Sequence, residues 1–146
     1  MSALTYSLAS TIVSAGLEHG RQAGHKPLTV AVLDTGGHLV ALGRADGSGF
    51  LRPDVAIAKA HGVIGLMMDS RAIAARASDS PEFFTSVAAL AGGKVFSVPG
   101  GVFVCDADGE VIGAAGASGD ASLADEEAVV AGIRAAGLVP RTGADS

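Results

Sequence analysis

Glycines cluster between short apolar runs along this chain, and their positions set narrow bounds on its fold. They recur at 36–37, 47–49, 92–93, 100–101 and 113–119, where they indicate turns between compact elements and not a flexible linker. The chain has 21 glycines, no tryptophan and only 4% aromatic residues. Its core must therefore be built from Ala, Val, Ile and Leu, whose small side chains let backbones approach closely or leave room for a flat ligand.

Composition excludes several classes of protein. The 146 residues suit one domain, and 49% hydrophobic against 17% charged residues excludes a disordered chain. A net charge of −5 without any basic run argues against a nucleic-acid partner. Charges or glycines interrupt every apolar run well before the roughly 20 residues that a membrane span needs, so no membrane association is expected.

The N-terminus and the cysteine content predict a cytoplasmic protein. The first residues, MSALTYSLAST, lack the basic segment that opens a signal peptide. The single cysteine, Cys105, excludes an internal disulfide and a cysteine zinc site. A protein with so few charged residues is expected to cover part of its surface with another subunit, which predicts a homo-oligomer.

Apolar periodicity predicts an α+β fold. Helical spacing predicts helices at 4–22, 55–68, 70–78, 79–90 and 122–137, and β-branched runs predict strands at 28–34, 38–46, 94–98, 100–106 and 110–118. Helices and strands do not alternate regularly, so an antiparallel sheet of about five strands with helices packed on it is favoured over a parallel doubly wound sheet. We expect one domain over residues 1–146, with an ordered core at about 4–138 and a frayed C-terminal RTGADS.

The helix predicted at 55–68 carries two informative polar residues. Every residue in it is apolar or glycine except Lys59 and His61, so the helix is expected to be buried by its own subunit or by a partner. Lysine is almost never buried without a partner. Lys59 therefore either reaches solvent or an acid such as Asp46, or binds an anionic group in a cleft. His61 is either a hydrogen-bonded core histidine or a metal ligand or acid–base group.

Five segments between about Leu4 and Ala136 form a recognisable pattern. They are VAVLDTGGHLVALGRADG, AIAKAHG, GGVFV, DADGEVIGAAGASGD and ADEEAVVAGI, with the specific motifs R-x-D-G at 44–47, K-A at 59–60, G-G-V at 100–102, G-x-x-G-x-S-G at 113–119 and D-E at 125–126. Together they resemble the GlcG/HbpS-type haem-binding domain, which also forms the C-terminal domain of one class of corrinoid adenosyltransferases. The resemblance implies a profilin-like fold, homo-oligomers and, as in some members of the family, haem or corrinoid binding.

Two segments depart from the family pattern. Where the family has K-A-x-[ST]-A, this chain has K-A-H-G-V, which introduces His61 and Gly62. The proline that usually follows G-G-V is Phe103. The first departure suggests an altered pocket, in which Gly62 makes space and His61 adds a titratable group.

Three functions are compatible with these residues. In the first, which ranks ahead, an apolar cleft binds haem or another tetrapyrrole, with His61 as the candidate iron ligand and the propionates held by Lys59 or Arg44. In the second, a small enzyme of secondary metabolism or catabolism uses the same pocket for a small anionic molecule, with His61 as general acid–base and Lys59 or Arg44 stabilising negative charge. In the third, the chain is a structural or regulatory oligomer. The expected cofactor-binding residues are Arg44, Asp46, Lys59, Gly100, Gly101 and Ser118.

Overall fold

The computed structural model of the chain describes residues 3–143, which form five helices and five strands. In chain order these are α1 (Tyr6–Gln22), β1 (Thr29–Leu33), β2 (Leu39–Arg44), α2 (Arg52–Leu66), α3 (Ser70–Asp79), α4 (Pro81–Leu90), β3 (Gly101–Cys105), β4 (Val111–Ser118), α5 (Ser122–Ala135) and β5 (Val139–Arg141). The order of elements agrees with the sequence prediction in all but two places. Residues 94–98, predicted as a strand, form none, and β5 was not predicted.

The five strands form one antiparallel sheet in the order β2-β1-β4-β3-β5. The α+β class and the five-stranded antiparallel sheet predicted from the sequence are therefore confirmed. β1 pairs with β2 and β3 pairs with β4 as hairpins, and β4 joins the two hairpins by pairing with β1. The edges of the sheet are β2 and β5.

Helices cover both faces of the sheet. α1 and α5 pack on one face, where Ile12 and Val30 are fully buried. α2 and α3 cover the other face, where Val63 and Ile73 are buried. α4 follows α3 and buries only Phe84, so it is held to the rest of the chain by little apolar contact.

Glycines in β3 and β4 let α2 approach the sheet more closely than side chains would allow. A Cβ atom at Gly116 would overlap the carbonyl oxygen of Ala56, and one at Gly101 would overlap the carbonyl oxygen of Lys59. Gly132 of α5 has the same role against the backbone of α1. The close backbone approach predicted from the small-residue composition is thus present at both helical layers.

The C-terminal segment is ordered beyond the expected limit at residue 138. Arg141, the first residue of the tail predicted to fray, ends β5 and pairs with Phe103 of β3. Its guanidinium lies 5.6 Å from the centroid of the Phe103 ring and donates a 2.7 Å hydrogen bond to the carbonyl oxygen of Gly109. The last part of that tail, residues 144–146, lies outside the described residues.

None of the helices within residues 3–143 combines the length and apolar character needed to cross a bilayer.

We expect Gly116→Ala to destabilise the protein because its methyl group would overlap backbone atoms of α2, which cannot move as a side chain can. Overpacking of this kind costs about 1–3 kcal/mol or more of unfolding free energy, measured by urea denaturation. Ser118→Ala is the control, since it lies on the same strand and face and adds no atoms; we expect it to cost no more than about 1 kcal/mol for one lost hydrogen bond. Equal losses in the two variants would contradict the close-approach interpretation.

Candidate functional site

Lys59 lies in a buried ion pair between α2 and the start of α5. Its side chain is 3% exposed and that of Asp125 is 1% exposed, and Nζ lies 3.2 Å from Oδ2 of Asp125. The other oxygen, Oδ1, accepts a 2.9 Å hydrogen bond from the backbone N–H of Asp120. The sequence-based suggestion of Asp46 as the partner acid is therefore wrong; the partner lies 66 residues away along the chain.

Desolvation is the largest influence on the charge of Lys59. Burial lowers the pKa of the Lys59 ammonium because the charged form loses its hydration. The carboxylate of Asp125 acts in the opposite direction through its charge and its hydrogen bond, and the guanidinium of Arg52 adds to the lowering. Removing one member of such a pair lowers the free energy of unfolding, because the remaining partner is then a buried charge without compensation.

Three of the expected cofactor-binding residues surround this ion pair. A Cβ atom at Gly100, whose φ is +132°, would lie 2.8 Å from Cδ and Nζ of Lys59, and Gly101 contacts the Lys59 backbone. Oγ of Ser118 accepts a 3.1 Å hydrogen bond from Nη1 of Arg52. Gly100 and Gly101 thus pack against Lys59, and Ser118 is held by Arg52. However, they enclose an ammonium that is already paired with Asp125, so Lys59 does not face an open cleft.

Arg44 and Asp46 lie away from Lys59. Arg44 ends the edge strand β2, where it is exposed, and Thr29 of β1 separates it from Ser118 in the register of the sheet. Asp46 lines a different cavity of about 370 Å³, beside the C-terminal half of α1. The expectation that Arg44 and Lys59 face one pocket is wrong, because one cation is exposed and the other is enclosed.

His61 projects from α2 on the side opposite Lys59. Two positions along an α-helix correspond to a rotation of about 200°. The imidazole is partly exposed, contrary to the burial expected from its apolar helical neighbours, and its Nδ1 lies 3.0 Å from the carbonyl oxygen of Lys94. Because Lys59 and His61 do not meet, the acid–base hypothesis that combines them in one catalytic site is not supported by the geometry.

His61 stands at one end of a shallow apolar groove, which we call the His61 groove. The groove has a volume of about 230 Å³ and lies between α2 and α4. Its lining consists of His61, Gly62, Gly65, Leu66, Val87, Leu90, Ala91 and Val95. A Cβ atom built at Gly62 would lie 3.5 Å from Val95, an ordinary van der Waals distance. Sequence reasoning did not predict that α4 and Val95 line a groove. Their lining residues carry no polar group, and only the tertiary fold brings them next to α2.

The hydrogen bond to Lys94 sets the chemistry of His61. A carbonyl oxygen can only accept, so Nδ1 carries the proton and donates it, which leaves Nε2 with a lone pair when the ring is neutral. Hydrogen bonds from the other ring nitrogen to a backbone carbonyl orient histidines that bind metals. Gly37 of the β1–β2 turn lies beside this edge of the ring, since a Cβ atom built there would come within 3.1 Å of Cδ2 and 3.2 Å of Nε2. The ring is thus suited to bind a metal or to accept a proton through Nε2.

Comparison with known proteins gives one family match and several similar folds. The family model described as "Haem degrading protein HbpS-like" matches residues 4–134. Comparison with curated protein sequences gave no match.

Three solved structures resemble this chain over most of their length. The haem complex of PduOC is 21% identical with a TM-score of 0.80, over 92% of this chain and 95% of that chain. A double mutant of Streptomyces reticuli HbpS is 25% identical with a TM-score of 0.77, over 92% and 87%. Klebsiella pneumoniae protein ORFY is 18% identical with a TM-score of 0.83, over 94% and 92%. The likeness to the first and third of these structures concerns the fold alone.

We expect Asp125→Ala to reduce the free energy of unfolding by about 3–5 kcal/mol, because it leaves the Lys59 ammonium buried without its partner. The double replacement Lys59→Met with Asp125→Leu removes both charges and should recover most of this loss in urea denaturation. Glu18→Ala, which removes an exposed pair with Arg21, is the control and should have a much smaller effect. A double variant less stable than Asp125→Ala would contradict this account of the pair.

Proposed function

The chain belongs to the HbpS-like family, and from this membership we propose that it binds haem. Haem takes four iron ligands from the porphyrin, so the protein needs to supply only an axial ligand and an apolar surface for the ring. The His61 groove supplies an apolar surface, and a histidine lies in its lining on the same stretch of α2. Bound haem would supply a redox-active iron at this site.

The single observation that supports His61 as the axial ligand is its hydrogen bond to the carbonyl oxygen of Lys94. This bond keeps the proton on Nδ1 and leaves the lone pair on Nε2, which is the form that binds iron. Gly37 of the β1–β2 turn lies beside this nitrogen without a side chain, and its φ of +80° itself favours glycine. The donor atom therefore fits haem iron.

The propionates require a cation that is not already paired. Lys59 is enclosed with Asp125, and Arg44 lies on the edge strand away from His61. Lys94 is exposed, and its own carbonyl oxygen accepts the bond from His61. We assign the propionate contact to Lys94 for this reason, in place of the two cations expected from the sequence.

The groove is smaller than a typical ligand site. Its 230 Å³ falls below the range of about 300–1,000 Å³ that is usual for small-molecule pockets. The groove would thus cover one part of the ring and leave the rest for a second surface. We propose that a second copy of the chain supplies that surface. The small groove is consistent with the homo-oligomer that the sequence predicts.

Exposed apolar residues near β2 are the surface we propose for self-association. Leu39 and Leu42 of this edge strand are 52% and 36% exposed, and Phe50 and Leu51, just before α2, are 76% and 62% exposed. Much of α2 itself is covered by its own sheet and by α3. Its apolar sequence, which predicted burial by its own subunit or by a partner, is largely accounted for within one chain.

We expect light scattering at micromolar concentration to give a mass of at least two chains of 14.3 kDa each. The double variant Phe50→Ser with Leu51→Ser should shift the mass towards that of one chain, because it removes apolar area from the proposed surface. Phe83→Ser on α4, which is 60% exposed in the wild type, is the control and should leave the mass unchanged. A wild-type mass of one chain would contradict the homo-oligomer.

Titration with haemin tests the proposed function directly. We expect a stoichiometric Soret band, and in His61→Ala a shifted band with an affinity lower by about 10–100-fold, since the iron loses its axial ligand. His38→Ala is the control, because His38 is 81% exposed and lies against Asp34 in the β1–β2 turn. The proposal fails if wild-type protein gives no stoichiometric band, and the assignment to His61 fails if His61→Ala binds as the wild type does.

A further inference from the structure

Three side chains stand in a row across the sheet at the end where β1 begins. Thr29 of β1 is paired with Arg44 of β2 on one side and with Ser118 of β4 on the other. Residues directly opposite each other in an antiparallel ladder project to the same face of the sheet. Gly116, two residues before Ser118, faces α2, because a Cβ atom there would overlap the carbonyl oxygen of Ala56. The row therefore lies on the face on which α2 packs.

Two hydroxyl contacts connect this row to the start of α2. Oγ of Ser118 accepts a 3.1 Å hydrogen bond from Nη1 of Arg52, the first residue of the helix. Oγ1 of Thr29 lies 2.9 Å from Oγ of Ser48, in the loop before the helix. Thr29, Ser48 and Ser118, which we call the hydroxyl floor, are 0%, 8% and 1% exposed. Arg44 and Arg52 are exposed, so two guanidinium groups that reach solvent flank a buried polar floor.

Positive charge is in excess around the hydroxyl floor, although the whole chain carries a net charge of −5. In the described part of the chain, neither Arg44 nor Arg52 forms an ion pair with a carboxylate. Asp46 lines the separate cavity beside α1, and Asp54 follows Arg52 by two residues, which is about 200° around the helix. The charge of Arg52 also lowers the pKa of the Lys59 ammonium, so a second cation is buried nearby. An anion at this point would meet two guanidinium groups that no carboxylate neutralises.

We propose that Arg44, Arg52 and the hydroxyl floor form a binding site for the phosphate group of a small molecule. Guanidinium groups make bidentate hydrogen bonds to phosphate oxygens, and two of them match the charge of a phosphate dianion. The backbone positions of Arg44 and Ser118 are two strand spacings apart, about 10 Å. Since Arg52 already reaches Ser118, both side chains are long enough to contact one group above Thr29. No side chain caps the N-terminus of α2, whose dipole adds partial positive charge at the same place.

This site is separate from the proposed haem site. Thr29 begins β1, whereas the turn that holds Gly37 beside His61 follows the other end of that strand. The inference does not depend on haem binding, and different variants test the two sites.

The test is a titration with inorganic phosphate at constant ionic strength, followed by calorimetry and by Tm. We expect Arg44→Ala and Arg52→Ala each to bind phosphate about 10–100-fold more weakly than the wild type, because each loses charged hydrogen bonds. Arg52→Lys keeps the charge without the planar fork and should also bind more weakly. Arg76→Ala is the matched control, since it removes an exposed arginine from α3 with the same change in net charge, and it should bind as the wild type does.

Succinate tests the chemistry of the ligand, because it carries two negative charges on separate carboxylates. Tighter binding of succinate than of phosphate would overturn the assignment to a phosphate group. Equal stabilisation by phosphate of the wild type and both alanine variants would be a general salt effect and would overturn the site. If haemin binds through His61 but phosphate does not bind the wild type, this inference fails and the proposed function stands. If phosphate binds through the two arginines and haemin does not bind, the reverse holds.

Light scattering with and without phosphate separates this site from an effect on self-association. Leu42, in the surface proposed for contacts between copies, precedes Arg44 by two residues on the same strand. We expect phosphate to raise Tm while the mass stays the same. If the rise in Tm occurs only together with a change in mass, the arginines act between copies of the chain and the site within one chain is wrong.

Discussion

The approach of α2 to strands β3 and β4 is limited by backbone atoms, and the buried ion pair depends on this close contact. Gly101 and Gly116 remove the side chains that would hold the helix away from the sheet. Lys59 then lies so deep that its ammonium has almost no access to water, and Asp125 at the start of α5 must neutralise it. A contact between one helix and two strands thus also fixes the position of a second helix on the other side of the fold.

α2 divides structural and candidate functional roles between its two sides. Towards the sheet, it carries small residues and Lys59, which serve close packing and charge neutralisation. Away from the sheet, it carries His61 and Gly65, which line the groove. Lys59 and His61 looked alike in the sequence, as isolated polar groups in the apolar run at 55–68. Their positions two residues apart place them on opposite sides, and so in different physical environments.

Much of the fold could be predicted from the sequence because its elements are marked by local signals. The two hairpins follow from β-branched runs and glycine turns, and the helices follow from apolar periodicity. Residues 94–98 have a strand-like composition, yet they find no partner strand, since β5 takes the free edge of β3. The partners of the site residues were beyond such signals: Asp125 is 66 residues from Lys59, and Lys94 is 33 residues from His61. Only the sheet and its helical layers bring these residues together.

α4 forms one wall of the His61 groove and buries only Phe84. Segments with so little buried apolar surface open locally at a smaller free-energy cost than the unfolding of the whole domain. Amide hydrogens of α4 would thus exchange faster than those of the central strands. A ligand that contacts Val87 and Leu90 would bind the closed form of this wall preferentially, and its affinity would include the cost of ordering the helix. The width of the groove therefore depends on the position of α4, a helix that is anchored mainly by the burial of Phe84.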